Sequence, residues 1–307
     1  MVTVNDFVPI RVTTSMQDAA IEYAGRSLNY TYNRMNYSQA RQRLRRIAVG
    51  IIMEKAFETY LINSGIPFTT QGRTHWRNPD VAEFYINNRI VDIKGYHVYP
   101  NQNRNFPHWF LNVEGLVPYG QLKKINGPDT FVQAFLVSPY ANNSNQKRFI
   151  VTLPKNWTDR WKNVSNVGIQ TQPGNFQGIT LTMHGEDANI VGTNANDLSE
   201  SFILGNGQKQ YLSTNVFSSL QYLNTDARPT HDIILSVNGL KHVVKCDHWF
   251  DMWLEKPEVT FASWGDRSTY LSGTYLPDGT ITQVYTNGTR TKNMSVIVNA
   301  LNPIREL

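Results

Sequence analysis

Two long stretches near the start of the chain repeat their apolar residues at helical spacing. In "TSMQDAAIEYAGRSLNYTYNRM" (14–35) a Thr/Ser cap precedes apolar positions three and four apart. "SQARQRLRRIAVGIIMEKAFETYLINSG" (38–65) follows, with Ser38 as its cap and Gly65 as its stop. Ile47, Val49, Ile51, Ile52, Met53, Phe57, Leu61 and Ile62 make this second helix too apolar for a surface helix, so it is expected to pack on a sheet. The period then shortens to two. Residues 81–98 predict two strands about Asn87-Asn88, a hairpin signal, and 129–137 and 147–154 predict two more. Beyond 155 the reading is mostly β: 233–244 alternates about Asn238-Gly239, and 270–285 reads as a hairpin with Pro277-Asp278-Gly279 at its tip. Trp249, Phe250 and Trp253 read as core. The division expected is a helical N-terminal segment plus an α/β core over 1–154, and a β-rich region over 155–307.

One strand carries charges that a core strand does not need. In "IVDIKGYHVY" (90–99), alternation sets Asp92 and Lys94 on one face and Ile93 on the other. Two readings follow: an exposed ion pair on an edge strand, or a carboxylate that binds a hard divalent cation beside a lysine that positions a water. If Asn87-Asn88 is a two-residue turn, Ile86 pairs with Arg89 and Glu83 lies opposite Asp92. Two adjacent carboxylates repel unless a cation lies between them. Asp80, after Pro79, is a second acid at the start of the strand, and Glu54 lies within the apolar helix.

The helix with Gly50-x-x-x-Glu54, then Pro79-Asp80, then Asp92-Ile93-Lys94, then "GPDTFVQAFLV" resembles the PD-(D/E)XK nuclease superfamily, over residues 40–154. Among its members the chain is most like a type II restriction endonuclease. The resemblance implies a restriction-endonuclease-like mixed sheet flanked by helices and Mg²⁺-dependent cleavage of double-stranded DNA, commonly by a homodimer. It also implies catalytic roles for Glu54, Asp80, Asp92 and Lys94, with the metal held among Asp80, Asp92 and Glu54. The hairpin count selects Glu83 for the same place that the resemblance gives to Asp80. Carboxylates collect Mg²⁺, and Lys94 hydrogen-bonds the attacking water and neutralises phosphate charge. A structure-specific or repair nuclease, or a DNA-binding protein with an inactive core, are the alternatives.

Composition narrows the field. A net charge of +5 favours a polyanionic partner, and charged residues at 17% with apolar residues at 40% describe a folded chain. A single cysteine, Cys246, excludes an internal disulfide and a multi-cysteine zinc site, whereas Mg²⁺ takes oxygen ligands. There is no Gly-x-x-x-x-Gly-Lys-Ser/Thr loop for a nucleotide triphosphate. No apolar run is long enough to span a membrane and no leader-like segment follows Met1, so a cytoplasmic protein is expected. For DNA contact, Arg45 in "RQRLRR" (41–46) and His97, Asn103 and Arg104 in the stretch after Lys94 are the candidates. Arg228, Lys241 and Lys245 decorate the β-rich region.

Overall fold

A computed structural model describes residues 1–31, 40–70, 84–100, 105–141, 148–154, 166–172, 174, 177–186, 197–205, 209–213, 219–237 and 239–307. The chain is mixed α/β and forms two compact units. Unit 1 comprises Met1–Ala20, Ala48–Pro139 and Lys256–Leu307; unit 2 comprises Ile21–Ile47 and Tyr140–Glu255. The elements of unit 1 begin with β1 (Val8–Arg11), the start of α1 (Thr14–Thr31) and most of α2 (Ala40–Asn63). They continue with β2 (Phe68–Thr69), β3 (Phe84–Ile86), β4 (Arg89–Val98), α3 (His108–Leu111), β5 (Glu114–Pro118), α4 (Tyr119–Leu122) and β6 (Thr130–Val137). Unit 2 contains β7 (Phe149–Thr152), β8 (Asn166–Gln170), β9 (Thr180–Glu186), β10 (Asp197–Ile203), β11 (Gln210–Ser213), β12 (Ser219–Thr225), β13 (Ile233–Val237), β14 (Leu240–Val244) and β15 (Phe250–Asp251). The chain then returns to unit 1 with β16 (Glu258–Asp266), α5 (Arg267–Leu271), β17 (Thr274–Leu276), β18 (Asn293–Ile297) and β19 (Asn302–Pro303).

The main sheet of unit 1 has the order β1-β16-β6-β4-β3-β2, with β19 also on β16. β4 and β6 run parallel, and the other pairs are antiparallel. Strands covered on both faces need apolar residues throughout, and β6 and β16 are buried along nearly their whole length. The Asn87-Asn88 turn forms as expected. Both residues take positive φ, as a type I′ turn requires, and Ile86 pairs with Arg89 and Phe84 with Val91.

α2 covers one face of this sheet. Met53 fills the space above Gly95, where a Cβ would collide with its sulfur, and Phe57 meets Phe84 at 5.1 Å and Phe261 at 5.2 Å. The helix ends as its sequence indicates, with Gly65 at positive φ and the Ile66 N–H donating to the Leu61 carbonyl. The other face is covered by α3, α4, α5 and a three-stranded sheet, β17-β18-β5. Phe110 stacks on Phe135 there at 4.2 Å, and Phe131 meets Tyr270 edge-on.

Two expectations need correction. The division at 154/155 fails because β16 belongs beside β6, in the middle of the main sheet, so residues 256–307 complete unit 1. The hairpin expected over 270–285 is replaced: Tyr270 lies in α5, and β17 finds its partner in β18. The Asp266 carboxylate caps α5 by accepting from the Thr269 N–H, which commits Tyr270 to the helix.

In unit 2, a five-stranded sheet (β10-β9-β12-β7-β15) and a four-stranded sheet (β11-β8-β13-β14) share one apolar core that includes Val151, Met183, Leu223, Leu235 and Trp249. Phe250 and Trp253 are buried too, as the sequence suggests. Among the described residues, no helix is long and apolar enough to cross a membrane.

On the outer side of the five-stranded sheet, His184 stacks on Tyr222 at 4.4 Å, under Gly25 of α1. The residue is 6% exposed, and neither ring nitrogen finds a hydrogen-bond partner among the described residues. Burial, and secondarily the Arg26 charge, depress its pKa to about 4. The unfolded chain binds this proton near the ordinary 6.5, so stability is full above that pH and falls as the pH drops toward 4. Urea unfolding from pH 7 to 4 should show a loss of about 3 kcal/mol that His184→Phe lacks. Equal pH slopes in the two proteins would contradict this account of His184.

Candidate active site

Asp92 and Lys94 lie side by side on β4, an interior strand between β6 and β3. Their side chains are 7% and 18% exposed, which removes the reading of an exposed pair on an edge strand. Alternation turns both toward the face opposite α2, since it is Gly95 that meets Met53. On that face the parallel register sets Phe131 beside Asp92 and Gln133 beside Lys94.

A buried carboxylate and ammonium need more than each other, because desolvating both offsets much of their attraction. The third partner is Gln121, on the short helix α4. Lys94 Nζ donates to Asp92 Oδ2 at 2.5 Å and to Gln121 Oε1 at 2.8 Å, while Gln121 Nε2 donates to the same Asp92 Oδ2. The result is a closed triad of carboxylate, ammonium and amide. Lys94 also lies 5.8 Å from the centroid of the Phe131 ring. Among the described residues no hydrogen bond falls on Asp92 Oδ1, which leaves that hard oxygen donor available.

The surroundings hold the triad in place. Asp129 ties the start of β4 to the start of β6: its N–H donates to the Ile90 carbonyl at 2.8 Å, and its carboxylate accepts from the Ile90 N–H at 3.3 Å. The Arg267 guanidinium donates to the carbonyls of Gly127 and Pro128, which fixes the loop after α4. Further along the same face, the Leu116 N–H donates to the Tyr96 hydroxyl, the Tyr96 hydroxyl to Gln133 Oε1, and Gln133 Nε2 to the Tyr270 hydroxyl. Burial raises the pKa of both phenols, so this chain of bonds stays neutral.

The other expected residues are placed as follows. Glu54 is half-buried on α2, beside Met53, and α2 meets β4 on the face that Asp92 and Lys94 turn away from. Asp80, Glu83, Asn103 and Arg104 lie outside the described residues. The observed register runs as far as Phe84 opposite Val91, one pair short of Glu83. His97 is half-buried, with Nε2 at 2.8 Å from the Ser138 carbonyl. Arg45 is engaged within unit 2: it donates to the Asp251 carbonyl at 2.6 Å and lies 3.6 Å over the Tyr140 ring. Among the described residues, no three His, Cys, Asp or Glu side chains are grouped to hold a metal ion. The oxygens of Asp92 and Gln121 are of the type that Mg²⁺ takes, and a complete set needs further oxygens.

Gln121 is the residue that sequence reasoning missed. No family model, curated protein or solved structure matches the chain.

If the amide is what makes the buried pair tolerable, Gln121→Leu should cost about 1–3 kcal/mol of stability in urea unfolding at pH 7. Unchanged stability would mean that the pair needs no third partner.

Proposed function

We propose that this chain is a Mg²⁺-dependent endonuclease of the PD-(D/E)XK type that hydrolyses phosphodiester bonds in double-stranded DNA. The observation that carries this reading is the Asp92–Lys94 pair, held side by side inside a mixed sheet and closed by Gln121. A buried ion pair is weak evidence for stability alone, because an apolar pair of similar size often serves as well. Its retention on an interior strand fits a chemical use. Within the class, a sequence-specific type II restriction endonuclease with a restriction-endonuclease-like core is the first reading. Action as a homodimer and a cytoplasmic setting go with it.

The roles follow from the donors. Asp92 Oδ1 is the oxygen that would hold the ion, with Asp80 or Glu83 as the second acid; Glu54, on the helix that covers the opposite face of the sheet, is left out of the ligand set. Bound Mg²⁺ would supply the Lewis acidity that polarises a phosphate and acidifies a water. Lys94 has three N–H donors, and two are directed at Asp92 and Gln121. Loosening the contact with Asp92 frees a second donor for a phosphate oxygen or a water while Gln121 keeps the ammonium oriented. The positive charge is thereby held where negative charge builds up on the phosphate.

Incubation with phage DNA and Mg²⁺ should yield discrete fragments on a gel. Lys94→Ala should abolish this while leaving DNA binding within about tenfold, since the lysine acts on the transition state more than on ground-state affinity. Ca²⁺ should support binding without cleavage. Wild-type turnover by Lys94→Ala would remove Lys94 from the site. Cleavage confined to branched DNA would move the reading to a structure-specific nuclease.

A further inference from the structure

Unit 2 contains a second surface with chemistry of its own. The four-stranded sheet turns Val167, Ile169, Ile233, Leu235 and Val237 into the core, so the alternate residues face outward. Register sets Tyr211, Gly168, Ser236 and Lys241 in one row across the four strands. Tyr211 is 59% exposed, and Lys241 and Val243 are exposed as well.

Two features mark this face as more than a solvated side. Lys209 lies across Gly168, where a Cβ would collide with its stem, and its ammonium is 4.9 Å from the centroid of the Tyr211 ring. The glycine thus seats a cation beside an exposed aromatic. Charge is the second feature. β8, β11, β13 and β14 contain no Asp or Glu, and Asp232, just before β13, is paired with Lys245 at 2.8 Å. Lys241 on β14, and Lys209 just before β11, therefore lie beside strands without acidic residues. The strand spacing sets Tyr211 and Lys241 about 14 Å apart, three steps across the sheet.

We infer that this face binds single-stranded nucleic acid, with a base stacked on Tyr211 and Lys209 and Lys241 neutralising backbone phosphates. An exposed ring flanked by cations on an open sheet is sequence-tolerant: every base has a π-face and every nucleotide a phosphate. Stacking on Tyr211 needs a base free of its partner, which selects single strands over intact duplex. The inference uses no residue of the candidate active site.

The test is fluorescence anisotropy of the full chain with a labelled oligothymidine of about 12 nucleotides. EDTA keeps cleavage, and thus the role of Asp92 and Lys94, out of the measurement. Tyr211→Ala should weaken binding about 5–100-fold, and Tyr211→Phe should retain it. The Lys209→Gln/Lys241→Gln double variant should lower the slope of log affinity against log salt by about 1.4, two phosphates' worth on a single strand. Thermal transitions should not move, since these side chains are exposed. The inference is overturned if the chain does not bind the oligonucleotide, or if the variants keep wild-type affinity and slope. A duplex of the same length bound more tightly, with Tyr211→Ala without effect, would overturn it too.

Discussion

A buried carboxylate beside a half-buried ammonium is the constraint on which unit 1 is organised. The side chains of Asp92 and Lys94 are only 7% and 18% exposed, so bulk water gives them little relief. Gln121 meets both at once, since an amide has a donor for the acid and an acceptor for the base. The helix that carries Gln121 must then be held against the sheet, and much of the nearby structure does that. The Arg267 bonds to the loop at 127–128 and the tie between Asp129 and Ile90 have this effect.

The two faces of the main sheet are specialised accordingly. The α2 face is an apolar contact in which Met53 and Phe57 meet Gly95, Phe84 and Phe261. The opposite face mixes stacked aromatics with hydrogen-bonded polar groups, the triad at one place and the Tyr96–Gln133–Tyr270 chain at another. The polar groups of the triad and of the Tyr96–Gln133–Tyr270 chain are admitted on this face because each of these side chains has a hydrogen-bond partner. Gly115 allows the approach, since a Cβ there would press on the Gln133 side chain. Packing and hydrogen bonds restrict the side-chain conformations on such a face, which suits the role proposed for Asp92 and Lys94.

How far this was legible in the sequence depends on the range of the signal. The turn at Asn87-Asn88 and the end of α2 at Gly65 are local, and both were readable from residues that accept positive φ. The shared face of Asp92 and Lys94 follows from strand alternation alone. The return of residues 256–307 to unit 1 was not readable. β16 is a buried apolar run that pairs with β6 more than a hundred residues earlier in the chain, and such a run looks the same whatever it pairs with. Pro277-Asp278-Gly279 signals a turn but does not name the strand that returns, and β18 won that place. Gln121 left no trace because a neutral amide in a short helix carries no charge or period to find. Helical periodicity placed Glu54 in a packed helix but could not say which face of the sheet that helix would cover.

The central claim is that Asp92, Lys94 and Gln121 form a metal-dependent catalytic site rather than a structural ion pair. A crystal structure of the chain with Mn²⁺, read by anomalous scattering, tests it most directly. The account expects one ion about 2.0–2.4 Å from an oxygen of Asp92, with a second oxygen from Asp80 or Glu83. Lys94 Nζ should have moved off Asp92 while keeping its bond to Gln121. An intact triad with no ion at Asp92, in crystals grown at millimolar Mn²⁺, would contradict it.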